Sequence, residues 1–182
     1  MNHIEDYYKK KYLKYKQKYN IYKQNIFGLP LYNYNNVIAY SNKLLNYNSN
    51  ELNYHNGNFT GIKWQCVEYA RRYVQIVFDI TFSQVESAYE IPNAVFTTLK
   101  DNKIIKPTIT LNNISSNILS NSLIIWPKDY EHDTPHGHVA IITLANKEGI
   151  YVAEQNYNND NYYRYIPYDN IKNTTIITIN NN

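Results

Sequence analysis

The sequence predicts an α+β fold in which one buried helix packs on an antiparallel sheet, and three observations predict it. Trp64 to Phe78 carries apolar residues at helical spacing. Five short runs rich in β-branched and aromatic residues follow between positions 121 and 179. The second and third of these runs are joined by a five-residue link, which suits a hairpin and leaves no room for a crossover. A chain of 182 residues and 21.6 kDa holds one such core with room for an appendage, not two full domains.

Residues 1–26 form the appendage, a basic extension preceding a domain over 27–182. Tyr8, Tyr12, Tyr15, Tyr19, Tyr22 and Ile26 recur in steps of three and four, so they share one face of a helix, and Lys9, Lys10, Lys14, Lys16 and Lys23 mostly occupy the rest. Asn2 with Glu5 supplies a capping pair for its start. Seven Lys against Glu5 and Asp6 give residues 1–24 a charge of +5 and leave the rest at −2, so the basic balance belongs to this segment. It reads as a helix docked on the domain or fraying in solvent, ahead of a dimer seam, an RNA contact or a membrane contact. Phe27-Gly28-Leu29-Pro30 punctuates the chain, Val37-Ile38-Ala39-Tyr40 is a short strand, and an Asn-rich loop runs through Asn58.

In the helix from Trp64, one stripe holds Cys66, Tyr69, Ala70, Tyr73, Val74 and Val77, with Glu68, Arg71, Arg72 and Gln75 opposite. Strands are then expected at 121–126, 137–143, 149–155, 162–168 and 174–179, with a polar loop over 127–134. Folding the 144–148 link about Asn146 sets His138 opposite Glu154, and directly opposed residues of antiparallel strands share a face.

That juxtaposition suggests chemistry. Cys66 lies in the first turn of a helix, where backbone N–H groups and the helix dipole favour the thiolate. A thiolate attacks a carbonyl carbon, an imidazole within reach shuttles the proton, and a carboxylate on the other ring nitrogen orients the imidazole. Cys66, His138 and Glu154 fill these parts, and N–H groups at the helix start with Gln65 would face the oxyanion. Taken singly, Cys66 reads first as an inert buried thiol, His138 fits a satisfied structural histidine, and Glu154 fits a strand-end charge. A metal is the rival for the same loop, since His132, Asp133, His136 and His138 are dense in ligands. They lack a recurring ligand motif and supporting partners, so no metal is expected.

Composition excludes other classes. Asn, Ile and Tyr supply 73 of the 182 residues, the bias of a viral or other AT-rich genome, and it carries no functional information. One Cys precludes an intrachain disulfide framework, and five Gly leave no phosphate-binding loop. There is neither an 18-residue apolar run nor a secretory leader, so a cytoplasmic or virion-associated location without a membrane span is expected. The negatively charged body argues against an extended nucleic-acid groove.

Four segments carry a family resemblance: Gly61-Ile62-Lys63-Trp64-Gln65-Cys66-Val67-Glu68-Tyr69-Ala70-Arg71-Arg72-Tyr73, Ser87-Ala88-Tyr89-Glu90-Ile91, Gly137-His138-Val139-Ala140-Ile141-Ile142-Thr143 and Val152-Ala153-Glu154-Gln155-Asn156. They resemble the CHAP domain, the cysteine, histidine-dependent amidohydrolase/peptidase domain, and in particular the amidase half of glutathionylspermidine and trypanothione synthetase/amidases. Val37 to Ser41 matches the segment that precedes the cysteine there. The resemblance implies a papain-like α+β fold, Cys66 as nucleophile, His138 as general base and Glu154 as its orienting carboxylate. It further implies Gln65 in the oxyanion hole, Arg71 and Asn156 near the substrate, and no cofactor or metal. The implied substrate is a small peptide–polyamine conjugate, with peptidoglycan or protein peptides as the alternative and a non-catalytic module of the same fold as a third. His136 departs from the small hydroxyl residue usual before Gly-His, and the chain after Asn156 does not follow the family.

Overall fold

The computed structural model describes residues 3–24, 26–44, 47–111, 118–129, 134–157 and 162–180. Helix α1 (His3–Gln24) forms as its periodicity predicts, but Tyr8, Tyr12 and Tyr15 are each more than half exposed, so no docking surface covers this part of the aromatic stripe. Asn2 and the side chains of Tyr19 and Tyr22 lie outside what is described. No described helix is long and apolar enough to cross a membrane.

Two hairpins precede the second helix. Strands β1 (Pro30–Tyr34) and β2 (Val37–Tyr40) turn at Asn35-Asn36, and β3 (Leu52–His55) and β4 (Asn58–Ile62) turn at Asn56-Gly57. All four turn residues have positive φ, the backbone of a two-residue turn that matches strand twist, and Asn and Gly adopt it at least cost. The second hairpin corrects the expectation of an Asn-rich loop through Asn58.

Helix α2 (Cys66–Phe78) begins at Cys66 and ends at Asp79, which takes the left-handed conformation and donates its N–H to the Val74 carbonyl. Beyond it lie β5 (Ile80–Phe82), a 3-10 turn (Ala88–Asn93), β6 (Phe96–Thr98) and β7 (Ile104–Ile105), the three strands forming a small antiparallel sheet. Then come β8 (Thr108–Leu111), β9 (Leu123–Trp126), β10 (His138–Ala145), β11 (Gly149–Ala153), β12 (Tyr163–Pro167) and β13 (Thr175–Thr178). These six form one antiparallel sheet in the order β12-β11-β10-β9-β13-β8. The architecture is the predicted α+β arrangement.

The central strands are buried on both faces, which explains their unbroken apolar runs. Leu123, Ile125, Val139, Ile141 and Ile177 pack in one core with Tyr69, Tyr73 and Val74 of α2. Their neighbours Ile124, Ala140, Ile142 and Ile176 join Ile150, Val152 and Ile166 in a second core. Each fully buried Ile or Leu contributes about 1.5–3 kcal/mol by leaving water.

The α2 face opposite the apolar stripe is buried as well, because the β3–β4 hairpin and β5 cover it. Glu68, Arg71, Arg72 and Gln75 are each no more than 6% exposed. Glu68 Oε1 accepts hydrogen bonds from Asn53, Thr60 and Arg72 Nε, and its Oε2 accepts from Arg72 Nη2 and Gln155. Polar residues at helical spacing predicted a less enclosed side; here Glu68 and Arg72 are paired and Arg71 donates to backbone carbonyls instead, which makes their burial tolerable.

Candidate active site

Three elements bring the reactive side chains together. Cys66 is the first residue of α2, so its sulfur stands where the helix N–H groups are unpaired. His138 opens β10, paired with Trp126 of β9. Gly137, immediately before it, has φ +64°, and a Cβ there would lie 2.5 Å from the Trp126 carbonyl oxygen, so only glycine lets the chain enter the strand at this point. Glu154 directly follows β11 and donates its backbone N–H to the Tyr162 carbonyl.

The β10–β11 register differs from the predicted one. Ala145 pairs with Ile150, so the turn centres beyond Asn146, and an irregularity between Ile142 and Leu144 takes one residue back, giving Ile141 opposite Ala153. The net displacement is two positions. A shift of one would have put His138 and Glu154 on opposite faces, whereas a shift of two makes them diagonal neighbours on one face. His138 Nε2 lies 2.9 Å from Glu154 Oε2, with both side chains buried.

With Nε2 engaged by Glu154, Nδ1 is the ring nitrogen left to hydrogen-bond Cys66. Burial raises the thiol, but the hydrogen bond and charge of His138, helped by the backbone N–H groups of Val139 and Val67, outweigh it and place Cys66 below the ordinary thiol value. Burial likewise disfavours the imidazolium. The hydrogen bonds and charges of Cys66 and Glu154 more than compensate and lift His138 to about 9. Both shifts favour a thiolate beside an imidazolium.

Glu154 is further held by Arg164 of β12, whose Nε donates to Oε1 and whose Nη2 donates to Oε2 at 3.3 Å. The Arg164 guanidinium stacks 3.9 Å from the Tyr157 ring centre, and Tyr157 packs on the His138 ring at 4.8 Å, with Trp126 at 5.7 Å. Nothing in the sequence singled out Arg164; its place opposite Val152, one diagonal from Glu154, is visible only once β11 and β12 are paired.

Gln65 and Asn156 join the cluster. Asn156, in the left-handed conformation that Asn tolerates, donates its side-chain N–H to Gln65 Oε1 at 2.7 Å. The Gln65 amide donates one N–H to the Tyr47 carbonyl at 2.8 Å and retains a second. Gln155, fully buried, donates to the Gln65 carbonyl and to Glu68, and accepts from the Tyr40 N–H, so the residue after Glu154 ties the helix start to β2. Sequence patterning missed this tie. Arg71 stands elsewhere: its guanidinium donates to the carbonyls of Thr60, Phe82 and Ser83 and lies 4.4 Å from the Phe82 ring centre, and burial lowers it to about 10.

Of the rival metal ligands, His132 and Asp133 lie outside the described residues. His136 Nδ1 is 2.9 Å from Ser87 Oγ, and His138 is committed to Glu154. Among the described residues no three His, Cys, Asp or Glu side chains converge on a point that would hold a metal ion.

The sequence is similar to known proteins over part of its length. The chain is 38% identical over 105 residues to the bifunctional glutathionylspermidine synthetase/amidases of Escherichia coli (strain K12) and of Shigella flexneri, a stretch covering 57% of this chain and 17% of each of those. It is 30% identical over 112 residues to the glutathionylspermidine synthase of Crithidia fasciculata, covering 59% of this chain and 15% of that one. The chain therefore spans under a fifth of the length of these relatives. Among solved structures, Ly7917 superposes with a TM-score of 0.43 at 16% identity over 63% of this chain and 53% of that one. The CHAP domain family model matches residues 56–156, the stretch that holds Cys66, His138 and Glu154, so the chain belongs to the CHAP family.

Proposed function

We propose that the chain hydrolyses the amide joining the glycine of glutathione to a polyamine, as in glutathionylspermidine, through Cys66, His138 and Glu154. The observation that carries the mechanism is the imidazole held between two partners, Glu154 at 2.9 Å on Nε2 and the Cys66 sulfur on the other nitrogen. The Cys66 thiolate attacks the amide carbonyl, and the C–N bond breaks as His138 passes its proton to the leaving amine. Water, deprotonated by the same imidazole, then releases glutathione from the thioester. The free N–H of Gln65, oriented by Asn156 and Tyr47, and the N–H groups at the start of α2 stabilise the oxyanion. The relatives' names support the choice of substrate, and the match to them runs through the region that carries the site.

The test is a direct comparison of substrates. Purified chain incubated with glutathionylspermidine is expected to release spermidine and glutathione in equal amounts, with kcat/KM at least about tenfold above that for a muropeptide of similar size. The reverse preference would assign the chain to cell-wall or protein peptides.

A further inference from the structure

We propose that Arg164 is a positioning residue of the active site: its guanidinium holds both oxygens of Glu154, balances that carboxylate when the imidazole gives up its proton, and through Tyr157 closes the site over His138. The inference rests on Cys66, His138 and Glu154 acting as the reacting unit. Among the described residues, Arg164 supplies two of the three side-chain hydrogen bonds that Glu154 accepts, and His138 supplies the third. Glu154 is fully buried, so water replaces neither partner.

During turnover the imidazolium loses its charge to the leaving amine. At that moment a fully buried carboxylate faces a neutral ring, and among the described residues Arg164 is the cation that remains beside it. Without Arg164 the carboxylate would draw the proton back, His138 would stay imidazolium to higher pH, and it would become a weaker acid toward the leaving group. The placement follows from strand pairing. Arg164 stands opposite Val152, which makes it a diagonal neighbour of Glu154 on the same face, and Tyr163 and Tyr165 on either side of it point the other way. Its guanidinium is also pinned between rings, 3.9 Å from the Tyr157 centre and 5.5 Å from that of Trp126, a geometry the planar group suits and an ammonium does not. Among the described residues, the titratable or charged groups facing His138 are Cys66 from α2, Glu154 and Tyr157 from the segment ending β11 and following it, and Arg164 from β12; β9 contributes the uncharged Trp126.

The test is an NMR pH titration of the His138 ring in the full-length chain labelled with 13C-histidine, which needs no substrate and so stands whether or not glutathionylspermidine is cleaved. Arg164→Met is expected to raise the His138 midpoint by about one pH unit, because a cation two hydrogen bonds away has been removed. A folded Arg164→Met protein with an unmoved midpoint overturns the proposal, since a merely structural role for Arg164 would leave the titration alone. Should that variant not fold, the comparison moves to Glu154→Gln with and without Arg164→Met, where no buried carboxylate is left unpaired. The proposal expects the two midpoints to agree within about 0.3 unit. A difference as large as one unit in that background overturns it, because Arg164 would then act on His138 without Glu154.

Discussion

Cys66→Ala is expected to remove amide hydrolysis, lowering kcat by at least about 10⁴-fold, while the unfolding transition stays within about 1 kcal/mol of wild type. The two halves of that expectation have separate causes. The sulfur is the group that would bond to the substrate carbon, and His138 and Glu154 retain no nucleophile when it is gone. The fold does not depend on it: Cys66 is the first residue of α2 and half-buried, and Ala is the best helix former, so the helix and its contacts survive. His138→Ala should cost a comparable factor. The double variant should be no worse than either single one, because residues acting as one unit are not additive. Steady-state kinetics beside circular dichroism checks all three.

The second large effect concerns stability. Glu68→Ala is expected to lower the free energy of unfolding by about 3–5 kcal/mol, a large part of what a domain of this size possesses. The substitution strands Arg72, 6% exposed, as an unmatched buried cation and leaves Asn53, Thr60 and Gln155 without the oxygens they now donate to. Because Gln155 also holds the Gln65 carbonyl, the loss should loosen the start of α2 and slow the chemistry of Cys66. Replacing both partners by Glu68→Met and Arg72→Met should recover only the part due to the stranded cation, since no charge is then buried but Asn53, Thr60 and Gln155 still lack their acceptor. Urea unfolding of the single and double variants distinguishes the two outcomes.

The elements most legible in the sequence were those with a strong period. Cys66 to Phe78 shows its stripe plainly, and the five late runs are apolar because their strands are covered on both faces. The small sheet of β5, β6 and β7 escaped because strands of two or three residues are too short to show alternation. The β3–β4 hairpin carries a usable signal, Asn56-Gly57, but the general Asn excess of this chain hides it. Polar α2 residues were assigned a side opposite the core from their type alone, although Glu68 and Arg72 stand at the i, i+4 spacing of a helical ion pair. At the site, hairpin folding brought His138 and Glu154 together because an even register error preserves the face. Arg164 stayed invisible because a lone cation in a Tyr-rich run says nothing until its strand has a partner.

The pairing of sulfur and imidazole is tested most directly by the rate at which iodoacetamide alkylates Cys66 as a function of pH. With the thiol lowered and His138 lifted to about 9, a larger share of Cys66 is thiolate at a given pH than of an ordinary thiol, and it keeps its cationic partner until the imidazolium deprotonates. At pH 6 the wild-type chain is expected to react at least about tenfold faster than N-acetylcysteine, and His138→Ala is expected to lose that advantage. A wild-type Cys66 no faster than the free thiol, or an equally fast Cys66 in the absence of His138, would contradict it.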